Sequence, residues 1–312
     1  MKRLFICIAV ISASVFCFSS CSKDADAINS PHSRTSDLRI ETEISSTETG
    51  VRALKSALNS FPEGSAISLF VTNSALGTHN NAKAEYKSSK WEITPAVKLG
   101  DSPATVYAFY PYNTSYTTGA SDIEINHTNQ VDNMYGTHAE GQDNINRNNP
   151  NVRLRMKHAK VLLQFRIRKM NYMGEGKLTA IEVLNKAGLQ DLRSSYTLNV
   201  YTGKMTASNH FSPASIVNPD GLYMITDKEP TEEKDIMDVM VLPVVKTNSH
   251  GSIMIRFTID GEIFTYNVPY DTKWDQGTKY VYNVTLNGTG LVIDDIIISD
   301  WTEGAKGEIN LY

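Results

Sequence analysis

Cysteine is almost absent from this chain. All three cysteines, Cys7, Cys17 and Cys21, lie within the first 21 of its 312 residues. The remainder therefore has no disulfide and no thiolate that can bind a metal ion. We expect its stability to come from hydrophobic packing and hydrogen bonds instead of covalent cross-links.

Long apolar runs and a strong charge imbalance are absent as well. No stretch after residue 20 approaches the roughly 20 apolar residues that a membrane-spanning helix needs. The formal net charge of -4, from 30 basic and 34 acidic residues, gives no reason to expect nucleic acid as a partner. The 41% hydrophobic and 21% charged residues are typical of a folded protein, and 312 residues suffice for two domains of ordinary size.

Catalytic and metal-binding motifs are absent too. The seven histidines are dispersed, and no Gly-x-Ser-x-Gly turn or phosphate-binding glycine loop occurs. Asp294 and Asp295 are adjacent, but neighbouring residues of a strand point to opposite faces, so we predict a turn or bulge between Ile293 and Ile296. The Asn and Asp residues at 143–149 lack the spacing of a calcium loop. We therefore predict no enzyme activity, no metal and no cofactor, although a carboxylate pair assembled by folding has no sequence signature.

The N-terminus has the pattern of a secretory signal peptide. Lys2 and Arg3 precede a mostly apolar run at residues 4–18, and two serines come directly before Cys21. A membrane-anchor helix is the alternative, although a run of about 15 residues is short for one. Residues 18–21, Phe-Ser-Ser-Cys, resemble the lipobox of bacterial lipoproteins, except that phenylalanine stands where leucine is commonest. The resemblance implies removal of residues 1–20, diacylation of Cys21 and a lipidated tether at residues 21–37.

A half-buried strand is predicted directly after the tether. Apolar and polar side chains alternate along it, and a period of two is typical of a strand with one buried face. Its inward positions are Leu38, Ile40, Thr42 and Ile44. A turn-rich stretch and then Val51-Arg52-Ala53 follow it.

Similar patterns recur along the rest of the chain. Short strands are predicted at residues 66–72, 91–93, 97–99, 105–110, 123–125, 161–167, 178–184, 196–201, 237–245, 280–286, 291–293 and 296–298. Residues 253–259 and 263–268 are predicted to form a hairpin around Asp260-Gly261. No segment has a convincing helical period, so the predicted fold is all-β.

Polar segments separate these strands. An exposed loop or a hairpin tip is predicted at residues 73–89, and loops are predicted at residues 113–150 and 205–236. Residues 171–177, which contain two glycines, are the predicted link between two domains. The domains would then span residues 38–172 and 173–312.

Several motifs resemble those of one family. They are Val106-Tyr107-Ala108-Phe109-Tyr110-Pro111, Asp132-Asn133-Met134-Tyr135-Gly136, Lys157-His158-Ala159-Lys160, and Trp274, Gly277, Tyr280 and Tyr282 in the order W-x-x-G-x-x-Y-x-Y. Together they are similar to motifs of the fimbrillin (Mfa-like) lipoprotein pilins of type V pili. The resemblance implies two tandem β-sandwich domains of transthyretin-like, Greek-key type after a lipoprotein signal peptide. It also implies a surface-exposed lipoprotein of the cell outer membrane that enters a fimbrium after processing and supports adhesion.

Strand exchange is the assembly mechanism that the resemblance implies. A trypsin-like protease would cut between Arg52 and Ala53, the strand at residues 38–44 would leave, and another pilin subunit would fill the open groove with its own strand. Spacing alone also allows Arg52 to be an ordinary exposed loop residue. Arg34 and Arg39 are other cleavable positions, but cutting there would leave residues 40–44 in place.

The donor strand is less well defined. After Trp301, only Ile309 and Leu311 are alternating apolar residues, whereas a donor strand that fills a groove needs about five. The chain would then be a tip or accessory subunit that receives a strand and donates none. Alternatively, residues 291–298 leave the sheet as the donor. The apolar residues of that candidate donor are Ile293, Ile296 and Ile298.

A non-polymerising surface lipoprotein is the rival interpretation. It would bind a glycan or a host or bacterial surface protein through the three polar loops and through aromatic side chains exposed on one surface. The aromatic residues of this hypothesis are Tyr112, Tyr116 and Trp91. Both interpretations predict no enzyme activity and no nucleic-acid partner.

Overall fold

β-Strands dominate the part of the chain that the structure describes. The computed structural model describes residues 34–44, 60–73, 76–139, 142, 144–288 and 290–301. Within these residues it contains 21 strands and a single 3₁₀ turn, Glu233–Asp235. None of them lies in an α-helix, and so no helix among them is long and apolar enough to cross a membrane. The all-β prediction is confirmed.

The first ten strands lie between residues 36 and 158. They are β1 (Ser36–Asp37), β2 (Arg39–Ile44), β3 (Ala66–Asn73), β4 (Gly77–Lys87), β5 (Lys90–Thr94), β6 (Lys98–Leu99), β7 (Ala104–Tyr110), β8 (Ile123–Asn126), β9 (Met134–His138) and β10 (Asn151–His158). The other eleven strands lie between residues 161 and 300. They are β11 (Val161–Met170), β12 (Lys177–Asn185), β13 (Ser195–Leu198), β14 (Met205–Ala207), β15 (Ala214–Val217), β16 (Tyr223–Met224), β17 (Ile236–Val241), β18 (Ile253–Ile259), β19 (Glu262–Asn267), β20 (Thr278–Asn287) and β21 (Gly290–Asp300).

Seven strands form the first sheet. Their order is β2-β10-β9-β7-β3-β4-β5, and every pair is antiparallel except β2 and β10, which run parallel. The alternation of β3 and β7 turns Ile67, Leu69 and Val106 inward, where they are fully buried. The two edge strands also meet, because Trp91 Nε1 in β5 donates to Thr42 Oγ1 in β2 at 3.1 Å. The sheet therefore curls around one core.

Two further sheets face each other as a sandwich. One has the order β17-β11-β20-β21 and the other β15-β12-β18-β19, with β16 beside β12. Phe165 of the first and Phe257 of the second meet edge to face, with ring centroids 5.3 Å apart. Trp274 and Tyr282 are buried in the same core, and Trp274 Nε1 donates to Tyr282 Oη at 3.0 Å. Aromatic side chains thus supply much of the apolar surface that the two sheets bury.

A small sheet joins distant parts of the chain. β13 pairs with β14 on one side and with β8 on the other.

β11, which precedes the predicted link at residues 171–177, pairs with β17 and β20 in the sandwich. The boundary between residues 172 and 173 stays a prediction.

The predicted loop at residues 73–89 is wrong over most of its length. β4 occupies this segment and pairs with β3 and β5. The buried residues of β4 are Ala82 and Ala84, which are both small. The segment therefore lacks the large alternating apolar residues from which a strand is predicted. β9, β14, β15 and β16 likewise lie within segments that were predicted as loops.

Asp294 forms a β-bulge between Ile293 and Ile296, as predicted. The register of β20 against β21 shifts at this point. Thr285 Oγ1 donates to Asp294 Oδ2 at 2.5 Å. Because the bulge adds one residue, the side chains of Ile293 and Ile296 point to the same face of the sheet, and both pack against the sandwich core.

Candidate strand-exchange site

β2 lies at the edge of the first sheet and is hydrogen-bonded along its length to one strand, β10. Residues 39–44 stand opposite residues 151–156 in a parallel register. β10 pairs with β9 on its other side, so the other strand pairs of the sheet do not depend on β2. An edge strand of this kind can leave without breaking another pair, and it uncovers a row of backbone groups when it does.

The inward side chains of β2 belong to the core although the strand lies at an edge. Leu38, Ile40 and Ile44 expose 4%, 6% and 8% of their surface. Thr42 lies between the two isoleucines and is half-buried. Full burial of one large aliphatic side chain contributes about 1.5–3 kcal/mol. Loss of this strand would therefore open an apolar groove with a pocket for each aliphatic residue.

A cavity of about 760 Å³ lies between β2 and β5. Ile40 and Ile44 line it from β2, and three aromatic residues line it from the facing side. Trp91 packs against Phe61 and Tyr86, with ring centroids 5.1 and 5.2 Å away. We call the region where β2 and β5 meet, lined by Ile40, Thr42, Ile44, Phe61, Tyr86 and Trp91, the seam. Its aromatic wall leaves open space directly beside the strand that is predicted to leave.

Several predicted site residues lie outside the described part of the chain. They are Cys21, Arg52, Ala53, Ile309 and Leu311. Lipidation, cleavage and donation of the C-terminal residues therefore stay predictions.

β21 contains the other predicted donor residues and is an edge strand of the sandwich. Ile293 and Ile296 are half-buried against the core, whereas 44% of Ile298 is exposed. The chain is anchored directly after this strand by Trp301, which is buried and stacks on His158 with ring centroids 4.0 Å apart. The inward residues of β21 are thus less deeply buried than those of β2.

The aromatic residues of the rival hypothesis pack into different places. Trp91 belongs to the seam, where it contacts Phe61. Tyr116 packs edge to face on the buried Phe109, with ring centroids 5.5 Å apart. Core packing by both rings leaves less of each ring free to stack on a sugar.

A buried polar cluster surrounds the turn between β10 and β11. Lys160 is fully buried, and its Nζ donates to Asn129 Oδ1 at 3.3 Å. His158 Nδ1 and Asp132 Oδ1 lie 3.0 Å apart in the same region. Burial lowers the pKa of Lys160 to about 8, although the charge of Asp132 acts in the opposite direction. In this buried cluster the charge of one group therefore affects the pKa of another.

His127 is buried near this cluster as a neutral imidazole. Its Nε2 donates to the Ser212 carbonyl oxygen at 2.9 Å, and its Nδ1 accepts from the Leu242 N–H at 3.3 Å. Burial lowers the pKa of His127 from its ordinary value of 6.5 to about 4, despite the hydrogen bond to Ser212. Protonation would also replace the acceptor for Leu242 with a second donor.

We expect acid to destabilise the protein through His127. Between pH 6.5 and 4 the unfolded chain binds a proton that the folded chain excludes, so this contribution is complete above pH 6.5 and is lost as pH falls. The loss between about pH 7 and about pH 4.5 should be about 2 kcal/mol, measured by urea unfolding. His127→Gln should lose less over this interval, whereas His210→Gln, at an exposed position, should behave as the wild type. Equal losses in all three chains would contradict the prediction.

Sequence reasoning missed Phe61 and Tyr86 as parts of the site. Phe61 is an isolated apolar residue, and Tyr86 ends a mainly polar strand, so neither has a periodic signal. One local signal was present, because Tyr86 and Trp91 flank the turn Ser88-Ser89 at positions that pair across a hairpin.

The fold and the site define a class of protein, an all-β chain with a sandwich and with an edge strand whose inward side chains are buried. The chain belongs to the fimbrillin-like family, whose model matches residues 52–301. Members of this family are structural pilus and adhesion subunits of the cell surface, not enzymes.

Two solved structures from Bacteroides species have a similar fold. A candidate cell adhesion protein from Bacteroides uniformis is similar with a TM-score of 0.61 and 16% identity, over 85% of this chain and 99% of that one. A candidate cell adhesion protein from Bacteroides ovatus is similar with a TM-score of 0.61 and 16% identity, over 86% of this chain and 98% of that one. At such identities the similarity shows the fold alone. No curated protein matches this chain.

Proposed function

We propose that this chain is a fimbrial subunit that is assembled by protease-triggered strand exchange. It is exported as an outer-membrane lipoprotein through Cys21, is cut between Arg52 and Ala53 at the cell surface, and joins other pilin subunits as a tip or accessory subunit. The observation that carries the proposal is the position of β2, an edge strand whose inward side chains are buried.

Release of β2 would leave two kinds of incomplete surface. The edge of β10 would lose its hydrogen bonds to residues 39–44, and three aliphatic pockets would open to water. Burial of three such side chains contributes roughly 4–9 kcal/mol. A strand from another subunit restores both the backbone hydrogen bonds and the alternating apolar contacts. The free energy lost on release is thus available again for assembly.

Arg39 is a poor cleavage position in the folded chain. Its N–H donates to the Pro150 carbonyl oxygen at 2.9 Å, and it begins the ladder between β2 and β10. Proteases cut exposed chain that is free of such pairing. We therefore assign processing to Arg52, which follows the strand in the sequence, and not to Arg39.

The tip or accessory role follows from the weakness of both candidate donors. Donation of β21 would take Ile293 and Ile296 out of the sandwich core and would disturb Trp301. Ile309 and Leu311 offer only two apolar side chains for a groove with three aliphatic pockets. A subunit with a complete acceptor groove and a weak donor ends a fibre or branches from it.

Limited proteolysis tests the proposal. The purified chain, beginning at Ser22, is treated with an arginine-specific protease while its mass and its oligomeric size are followed together. We expect one cut, after Arg52, then loss of residues 22–52 and capture of an added donor peptide. Arg52→Ala should block both steps, and Arg39→Ala should block neither.

Two outcomes would contradict the proposal. A wild-type chain that the protease does not cut, and that remains a monomer, would be the first. A chain that is cut but captures no peptide would likewise exclude strand exchange. Either result would favour the non-polymerising lipoprotein, whose loops would then be screened for glycan binding.

A further inference from the structure

The outward face of β2 is acidic where its partner strand is basic. In the parallel register, Glu41 stands beside Arg153 and Glu43 stands beside Arg155. All four residues are exposed and lie on the same face of the sheet. Opposite charges at directly paired positions of neighbouring strands attract one another.

No described residue of β9 gives β10 an acidic partner on its other side. β9 places Thr137 beside Arg155 and Tyr135 beside Lys157. Of the two strands that pair with β10, β2 is therefore the one that places carboxylates beside the arginines of β10. Release of β2 would leave Arg153, Arg155 and Lys157 as a row of exposed positive charges along the edge of the groove.

The middle of β2 sets a second requirement. Thr42 points toward the seam, and its Oγ1 accepts the hydrogen bond from Trp91 Nε1. A large aliphatic residue at this position would remove the acceptor of a half-buried indole N–H. A small hydroxyl residue satisfies that donor and fits between the pockets of Ile40 and Ile44.

We propose that the strand which replaces β2 comes from a different pilin subunit and has the sequence pattern apolar, acidic, Ser or Thr, acidic, apolar. This inference rests on the strand exchange proposed above and adds the chemistry of the partner. Outside residues 40–44, the sequence has no stretch in which two acidic residues flank a Ser or Thr. Ile309 and Leu311 are preceded by Glu308 and Asn310, which supply only one acid. A second copy of this chain thus has no further strand of this pattern to offer.

Peptide capture by the processed chain tests this inference. The chain is cut after Arg52 and mixed with a fluorescent peptide of residues 36–46 in three versions: native, Glu41→Gln with Glu43→Gln, and Glu41→Lys with Glu43→Lys. The native peptide should bind about tenfold more tightly than the lysine version, with the glutamine version between them, because two attractive pairs become repulsive. Salt at about 0.5 M should reduce the difference by screening.

Reciprocal changes in the chain test the same contact from the other strand. Arg153→Glu with Arg155→Glu should reverse the order, so that the lysine peptide binds best. Arg153→Gln with Arg155→Gln, a milder change, should remove the preference and serves if the first variant does not fold. A native peptide with Thr42→Val should bind several-fold more weakly than the unchanged one.

The outcomes separate this inference from the proposed function. Equal capture of all three charge versions would overturn the acidic pattern and leave strand exchange intact. Capture of none of them would overturn strand exchange itself. Polymerisation of the cut chain without any added peptide would show that a second copy supplies the donor, and would overturn its assignment to a different subunit.

Discussion

Gly136→Ala is expected to destabilise the protein by about 4 kcal/mol or more, or to prevent folding of the first sheet. Gly136 lies in β9, between β7 and β10. A Cβ at this position would overlap the carbonyl oxygen of Arg155 and lie 2.8 Å from its carbonyl carbon. Real Cβ atoms essentially never come so close to another atom, so β9 and β10 would have to separate.

The cost would come from the neighbouring backbone and not from the conformation of Gly136 itself. Gly136 is not among the residues with positive φ, so alanine can adopt its backbone angles without strain. Arg155 cannot shift alone, because β10 is paired on both sides, with β9 and with β2. The clash would therefore reach the strand that carries the candidate exchange site.

Urea unfolding measures this effect, with Gly290→Ala as the matched control. Gly290 also lies in a strand and also lacks a positive φ. Apart from its chain neighbours, a Cβ there would lie no closer than 3.8 Å to another described atom, the Asn287 carbonyl oxygen. We expect the control to stay within about 0.5 kcal/mol of the wild type. Equal unfolding midpoints for the two variants would contradict the close approach of β9 and β10.

Strands with one strongly apolar face were predictable from the sequence. Alternation predicts β2, β18 and β20 close to their observed bounds, because large side chains mark the buried face of each. The turn Asp260-Gly261 predicts β19. β4 and β9 escaped prediction because Ala82, Ala84 and Gly136 occupy inward or tightly packed positions. Small residues allow close packing there, but they produce no periodic signal.

The order of the strands was not predictable. β2 pairs with β10, which lies far along the chain, and no local pattern reports such a long-range pairing. Consequently the charge match of Glu41 and Glu43 with β10 becomes visible only once the register is known. Cys21 and Arg52, in contrast, came from local motifs, and both stay predictions because they lie outside the described residues.

Asp132→Asn is expected to destabilise the protein by about 2 kcal/mol near neutral pH, most of it through the charge of Lys160. Lys160 is fully buried, and its pKa is lowered to about 8 because burial disfavours the charged form. The negative charge of Asp132 offsets part of that effect. Asparagine keeps the size of the side chain and an oxygen that can accept from His158 Nδ1, so the substitution removes mainly the charge.

The pH dependence should show the same origin. The folded pKa of Lys160, about 8, lies below its ordinary value of 10.5, so between these values the unfolded chain binds more protons than the folded one. The contribution of Lys160 is therefore least favourable below pH 8 and improves as pH rises toward 10.5. Above about pH 8 the folded Lys160 is neutral with or without the charge of Asp132, so the charge-dependent cost of Asp132→Asn should be largest below pH 8 and nearly absent above it.

A double-mutant cycle separates the charge of Lys160 from the contact with His158. Lys160→Met removes the charge and keeps an unbranched side chain of similar length. In that background Asp132→Asn should cost about 1 kcal/mol or less, which gives a coupling of about 1 kcal/mol, measured by urea unfolding of the four chains near neutral pH. An equal cost in both backgrounds would exclude the pairing with Lys160. Asp132 would then act by orienting His158, on which Trp301 stacks directly after β21.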